Sequence, residues 1–147
     1  MAESGNSNAA AEVPKWTPVP ILEEIKEHGR VWEDLASQYG VTNPDPPWKT
    51  SLDGICEALS AGSCSSVAAA EKRWLDGRVD RSSMDGALPL LERRWEEDEL
   101  SETLYQDVPF PERQLLCLAH SLIKRGLVNE QDLAARMIEV HERLNAA

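Results

Sequence analysis

The segment from Pro109 to Leu144 constrains the fold more than any other, because it reads as helix, glycine stop, cap and second helix. Leu115, Leu118, Leu122 and Ile123 recur at helical spacing. Gly126 follows Lys124 and Arg125, two cations suited to the negative end of a helix, and can take the left-handed conformation that ends one. Asn129 is then placed to cap a following helix, with Asp132 three positions on. That helix carries Leu133, Met137, Val140 and Leu144 at intervals of four, three and four along one face. Two amphipathic helices joined this tightly are expected to form an antiparallel hairpin.

The remainder of the chain follows the same grammar. Residues 1–15 are rich in Ala, Ser, Asn and Glu and are expected to be a disordered tail, since they bury too little apolar surface to offset ordering. Residues 1–18 as a whole are read as a disordered or extended arm, the prolines at 18 and 20 keeping the chain extended there, and 19–147 as a single domain. A helix is predicted from about Ile21 to Gly40, with Leu22, Ile25, Val31, Trp32 and Leu35 on its apolar side and a possible break at Gly29. The proline-rich stretch from Val41 to Pro47 is a loop, and a helix from about Trp48 to Ala61 carries Leu52, Ile55, Cys56 and Leu59. Ser65 or Ser66 would cap a helix through Val67, Ala70, Arg73 and Trp74, and a charged helix is expected from Leu88 to Tyr105. No stretch alternates β-branched residues with period two, so the expected class is all-α, an irregular helical domain ending in a helix hairpin.

A net charge of −11 argues against nucleic acid or an anionic membrane as partner, because both select a cationic face. The apolar runs are too short to span a bilayer, no secretion signal is evident, and three scattered cysteines suggest no disulfide framework, so a cytoplasmic location is expected. The chain carries no phosphate-binding glycine loop, Cys-x-x-Cys, His-Glu-x-x-His or Gly-x-Ser-x-Gly. Cys56 and Cys117 fall on apolar helix faces and read as small hydrophobes, while Cys64 lies in a turn of small residues. His120 and His141 could face each other across the terminal hairpin with Glu139 or Glu142 as further metal ligands, although surface or interfacial histidines are the default reading. The acidic residues from Glu92 to Glu102 interleave with Arg93 and Arg94, the pattern of a solvated helix laced with ion pairs.

Five tryptophans against one phenylalanine and two tyrosines are more indole than a small helical domain readily buries. Tryptophan and arginine are preferred interface anchors, which favours a subunit or adaptor over a free-standing enzyme. The expected interface set is Trp48, Trp74, Tyr105, Phe110 and Arg113.

Two stretches carry a family resemblance. One has an aromatic after proline at Phe110, then Arg113, Leu115-Leu116, Ala119, Leu122-Ile123-Lys124, Val128, Leu133, Met137, Glu139-Val140 and Glu142-Arg143. The other has Trp48 eight residues before Cys56-Glu57-Ala58-Leu59, followed by Glu71-Lys72-Arg73. Together they cover about half the chain. They resemble the helical N-terminal region of β-type subunits of nitrile hydratase and thiocyanate hydrolase, the latter most closely. The resemblance implies a noncatalytic β-type subunit covering a low-spin Co(III) or Fe(III) centre, held on an α-type partner by a claw of oxidised cysteines. This chain lacks the claw's Cys-x-x-Cys-Ser-Cys motif and is expected to bind no metal alone. Arginine of the β-type subunit hydrogen-bonds the oxidised cysteines, and Arg73 is the residue carried over, with Arg93 and Arg94 as alternates. The stretch 75–104 is a longer insertion than the family pattern suggests and brings in Arg78 and Arg81 besides. The family's C-terminal β-barrel has no counterpart here, so a separate β-barrel subunit is a second expected partner. The alternatives are an activator or metallochaperone for α-subunit maturation, which shares the helical wording, and an unrelated helical adaptor.

Overall fold

The structure is a computed structural model of the chain and describes residues 16–61 and 90–146. The predicted helix at 65–74, the tail at 1–15, Cys64, Arg73, Trp74, Arg78 and Arg81 lie outside the described residues. Six helices and no strand are present among those described, so the chain is all-α. No helix among them is long and apolar enough to cross a membrane.

Helix α1, Pro20–Glu27, opens with proline at its first position, where a fixed φ is already helical and the missing N–H is not needed. Gly29 at φ +60° separates it from α2, Trp32–Tyr39, which ends on Gly40 at φ +66°. The break that Gly29 allowed is present, and the one long helix read from the sequence is two short ones. Helix α3, Lys49–Ala61, follows the prolines at 46 and 47, and α4 spans Leu90–Glu102. Helix α5, Glu112–Lys124, and α6, Glu130–Asn145, are joined across Gly126 at φ +70°. Asn129 caps α6 as the sequence implies, its side chain accepting from Asp132 N at 3.0 Å.

Helix α5 is the centre of the molecule. Leu116 and Cys117 join a core with Trp16, Val19, Leu22, Leu100, Tyr105 and Val108. Leu118 faces a second, smaller cluster with Leu52 and Cys56 of α3, edged by Trp48 and Leu59. Residues 16–18 precede the first helix without regular structure, and the chain there enters the core, because Trp16 is buried. Helix α6 buries no residue fully, and among the described residues its apolar contribution to the core is Leu133 and Ala134. Several positions on predicted apolar faces are exposed: Leu35, Ile55, Leu115, Met137 and Leu144.

The fourth helix is not solvated throughout. Arg93 pairs with Glu97 at 2.9 Å and Arg94 with Asp98 at 3.6 Å, the lacing expected of it. Leu100 and Glu96 face inward instead, and the Glu96 carboxylate accepts two hydrogen bonds from Arg125, the residue after α5. Glu96 and Arg125 are 3% and 7% exposed, so neither charge has water to fall back on. Removing one partner from such a pair strands the other. Arg125→Ala is expected to destabilise the fold by about 3–5 kcal/mol, while Glu96→Leu with Arg125→Met together restores most of it. Urea unfolding of the three proteins checks this.

Candidate functional site

The break at Gly29 folds α2 back beside the start of α5 and leaves an open cleft of about 590 Å³. Its walls are apolar: Ile25, Val31, Leu35, Leu104, Leu115 and Leu116, with Trp32 and Trp48 at the sides. Lys26, Arg30, Asp107 and Glu112 supply both signs of charge at its edge. A second hollow of about 390 Å³ lies beyond Trp32 and is bounded by Phe110, Pro111 and the Val41–Pro44 loop.

Polar contacts hold this arrangement from helix ends. Glu112 Oε1 of α5 accepts from Trp32 N, placing a carboxylate at the positive N-terminus of α2. Trp32 Nε1 donates to Asn43 O at 3.0 Å, which fixes the indole between the two hollows. Lys26 Nζ donates to Leu104 O at 3.2 Å and pairs with Glu23 at 2.8 Å, so its charge is already engaged. Lys49 Nζ lies 5.5 Å from the centre of the Phe110 ring, within cation–π range.

The expected site residues divide. Trp48 lines the larger hollow and Phe110 the smaller, while Arg113 is half-buried and lines neither. Tyr105 is placed in the core with no exposed surface rather than at an interface. Arg93 is mostly buried against Glu97, and Arg94 is exposed; both stand on α4, and neither lines a hollow. The expectation of exposed tryptophans is corrected: Trp16 is buried, and Trp32, Trp48 and Trp95 are half-buried. Trp32 and Glu112 are the site residues that sequence reasoning missed. The glycine break three residues before Trp32 was the available signal, because a broken helix must turn its apolar side toward something.

The histidines do not meet either. His120 is fully buried and His141 is exposed. His120 Nδ1 is hydrogen-bonded to Tyr105 Oη at 2.7 Å, and its ring meets Trp16 edge-on at a centroid distance of 5.4 Å. Among the described residues no three His, Cys, Asp or Glu side chains converge as metal ligands. Burial pushes the Cys117 thiol up to about 11 and raises Cys56 as well, so neither favours a thiolate at neutral pH. Burial also raises Tyr105, with Glu23 and Cys117 adding to the effect.

Comparison of the chain with protein-family models, with curated proteins and with solved structures returned no match.

His120 carries a stability consequence. Burial, helped by Lys124 and opposed by Glu23, lowers its pKa from 6.5 to about 4. Between those values the unfolded chain binds the extra proton and the folded chain does not, so stability falls as the pH drops. The decline starts near pH 6.5 and ends near pH 4. Its slope of about 1.4 kcal/mol per pH unit brings the whole loss to about 3 kcal/mol. Urea unfolding across this window is expected to show that slope in the native chain and to lose it in His120→Gln.

Proposed function

We propose that this chain is a noncatalytic β-type subunit of a multi-subunit metal-dependent hydratase, of the nitrile hydratase or thiocyanate hydrolase kind. In this reading it closes over the cysteine-claw centre of an α-type partner and lends arginine to the oxidised cysteines. A separate β-barrel chain completes the assembly. One observation supports the reading above others. The segment that bears the resemblance supplies the central helix of the core, yet leaves Phe110, Leu115, Met137 and Leu144 exposed. The same residues therefore organise the domain and offer apolar surface to another chain, which suits a subunit better than a self-contained catalyst.

The metal, cobalt or iron, belongs to the partner and would supply Lewis acidity toward the substrate's triple bond. This chain's contribution is the guanidinium fork, whose fixed donors match two oxyanion oxygens at once. Arg73 holds that role by the resemblance. Of the alternates, Arg93 is committed to Glu97 and mostly buried, whereas Arg94 keeps 64% of its side-chain surface. Arg94 is therefore the better second candidate.

Purification of the tagged chain from its native cell, followed by metal analysis, tests the reading. The expected result is stoichiometric retention with a cobalt- or iron-bearing protein that contains a Cys-x-x-Cys-Ser-Cys motif. Arg73→Lys is expected to abolish nitrile or thiocyanate hydration with the assembly intact. Isolation of the chain as a solitary monomer would defeat the reading. Its appearance only in immature, metal-loading complexes would make it a maturation factor.

A further inference from the structure

The last helix holds a surface that the cleft does not use. Leu133 and Val140 occupy one core position of a heptad and Met137 and Leu144 the other, the spacing of a helix–helix seam. Leu133 and Val140 are half-buried, Leu133 against the chain's own core, but Met137 is 40% and Leu144 75% exposed, and Ile138 beside them is also exposed. Among the described residues the helix is fastened chiefly at its beginning. Asn129 caps it, and Glu130 Oε1 accepts from Ile21 N at 3.1 Å, while the turns beyond Ala134 add nothing to either core cluster.

The charges beside this seam are arranged against the trend of the chain. The positions that flank a seam and set its partner are filled by Arg136 and Arg143 on one side, and by Ala134 and His141 on the other. No carboxylate flanks it: Glu139 and Glu142 lie on the outer positions. In a chain of net charge −11 this is a local reversal of sign. A second copy is a poor occupant. Antiparallel pairing sets arginine against arginine, and parallel pairing sets arginine against histidine, so neither supplies an anion. The Arg136–Glu139 pair at 2.7 Å is about two-thirds exposed and leaves the guanidinium able to swing to a better partner.

We propose that the distal half of α6 docks an amphipathic helix of another protein whose apolar stripe is bordered by glutamate or aspartate. The inference goes beyond the subunit reading, because it specifies the chemistry of the docked element whether or not that protein carries a metal.

Two synthetic 21-residue helices test it against the full chain by fluorescence anisotropy at 0.15 M salt. Both have leucine at the seam positions; one has glutamate at the flanking positions and the other lysine. At this ionic strength screening acts over about 8 Å, so any preference reports charges in contact rather than net charge. The glutamate helix is expected to bind about tenfold more tightly than the lysine helix, the scale of a few exposed ion pairs made rather than opposed. Arg136→Glu with Arg143→Glu reverses the order, and Met137→Ser with Leu144→Ser abolishes both. These four residues are exposed or on an exposed helix, and circular dichroism verifies that each variant keeps its helix content. Equal binding of the two helices, a preference for lysine, or binding that survives the serine pair overturns the proposal. So does a dimer of the chain alone that the serine pair dissolves. A chain that prefers the glutamate helix but retains no metalloprotein keeps this proposal and loses the subunit reading.

Discussion

The contact between Glu96 and Arg125 is the interaction on which the rest of the architecture turns. Helix α4 is mostly charged and brings little apolar surface of its own to α5, Leu100 being the one fully buried large side chain among its described residues. What seats it is the carboxylate–guanidinium pair, seconded by Ser101 Oγ and Cys117 Sγ at 3.5 Å. Arg125 also stands at the negative end of the α5 dipole, so the helix favours the cation before Glu96 is counted. With α4 held there, the turns after it deliver Tyr105 and Val108 beneath α1, and the larger core closes around them.

The short helices depend on that frame. An isolated eight-residue helix does not persist in water, since nucleation is unfavourable and few bonds follow it. Both α1 and α2 have this length, and each is pinned at an end by a distant side chain. Glu130 reaches the N-terminus of α1, Glu112 that of α2, and Lys26 near the end of α1 holds Leu104 O. Long-range carboxylates thus satisfy backbone N–H groups that local capping residues would otherwise serve, because Val19 and Val31 have no side chain able to do so. The cleft is a by-product of this arrangement. Two helices anchored at their ends and hinged at Gly29 leave the space between them unfilled.

What the sequence made legible was local. Gly29, Gly40 and Gly126 mark their turns because only a residue without a side chain is comfortable at positive φ, and Asn129 marks its cap because its side-chain carbonyl lies within easy reach of Asp132 N. Helix boundaries followed from these residues. Burial of polar groups was not legible. Glu96 sits among carboxylates and looks solvated until Arg125, 29 positions away, is folded against it. His120 and Tyr105 look like surface groups until each becomes the other's hydrogen-bond partner. Periodicity also over-assigned the core: Leu35, Ile55, Leu115 and Met137 lie on apolar stripes wider than the surface available to cover them. The hollow beside Trp32 had one local signature, the break at Gly29, but its size and lining were not legible, because they depend on what the two short helices fail to fill.

The two open apolar surfaces differ in a way that bears on assembly. The cleft is rimmed by Lys26, Arg30, Asp107 and Glu112, so it has no strong preference for the sign of its occupant. The seam on α6 is flanked by arginine and is selective. The cleft lies between elements braced on several sides, whereas the distal turns of α6 contribute no residue to either core cluster among the described residues. Regions with few buried contacts open at free energies well below the global value. A partner on the seam would add apolar burial worth about 1.5–3 kcal/mol per fully covered large side chain, to a helix that has none. Binding there therefore orders the binding element itself, while binding in the cleft meets a surface already formed. The two surfaces thus differ in kind: one is bordered by arginine on a lightly anchored helix, the other is a preformed hollow of mixed charge.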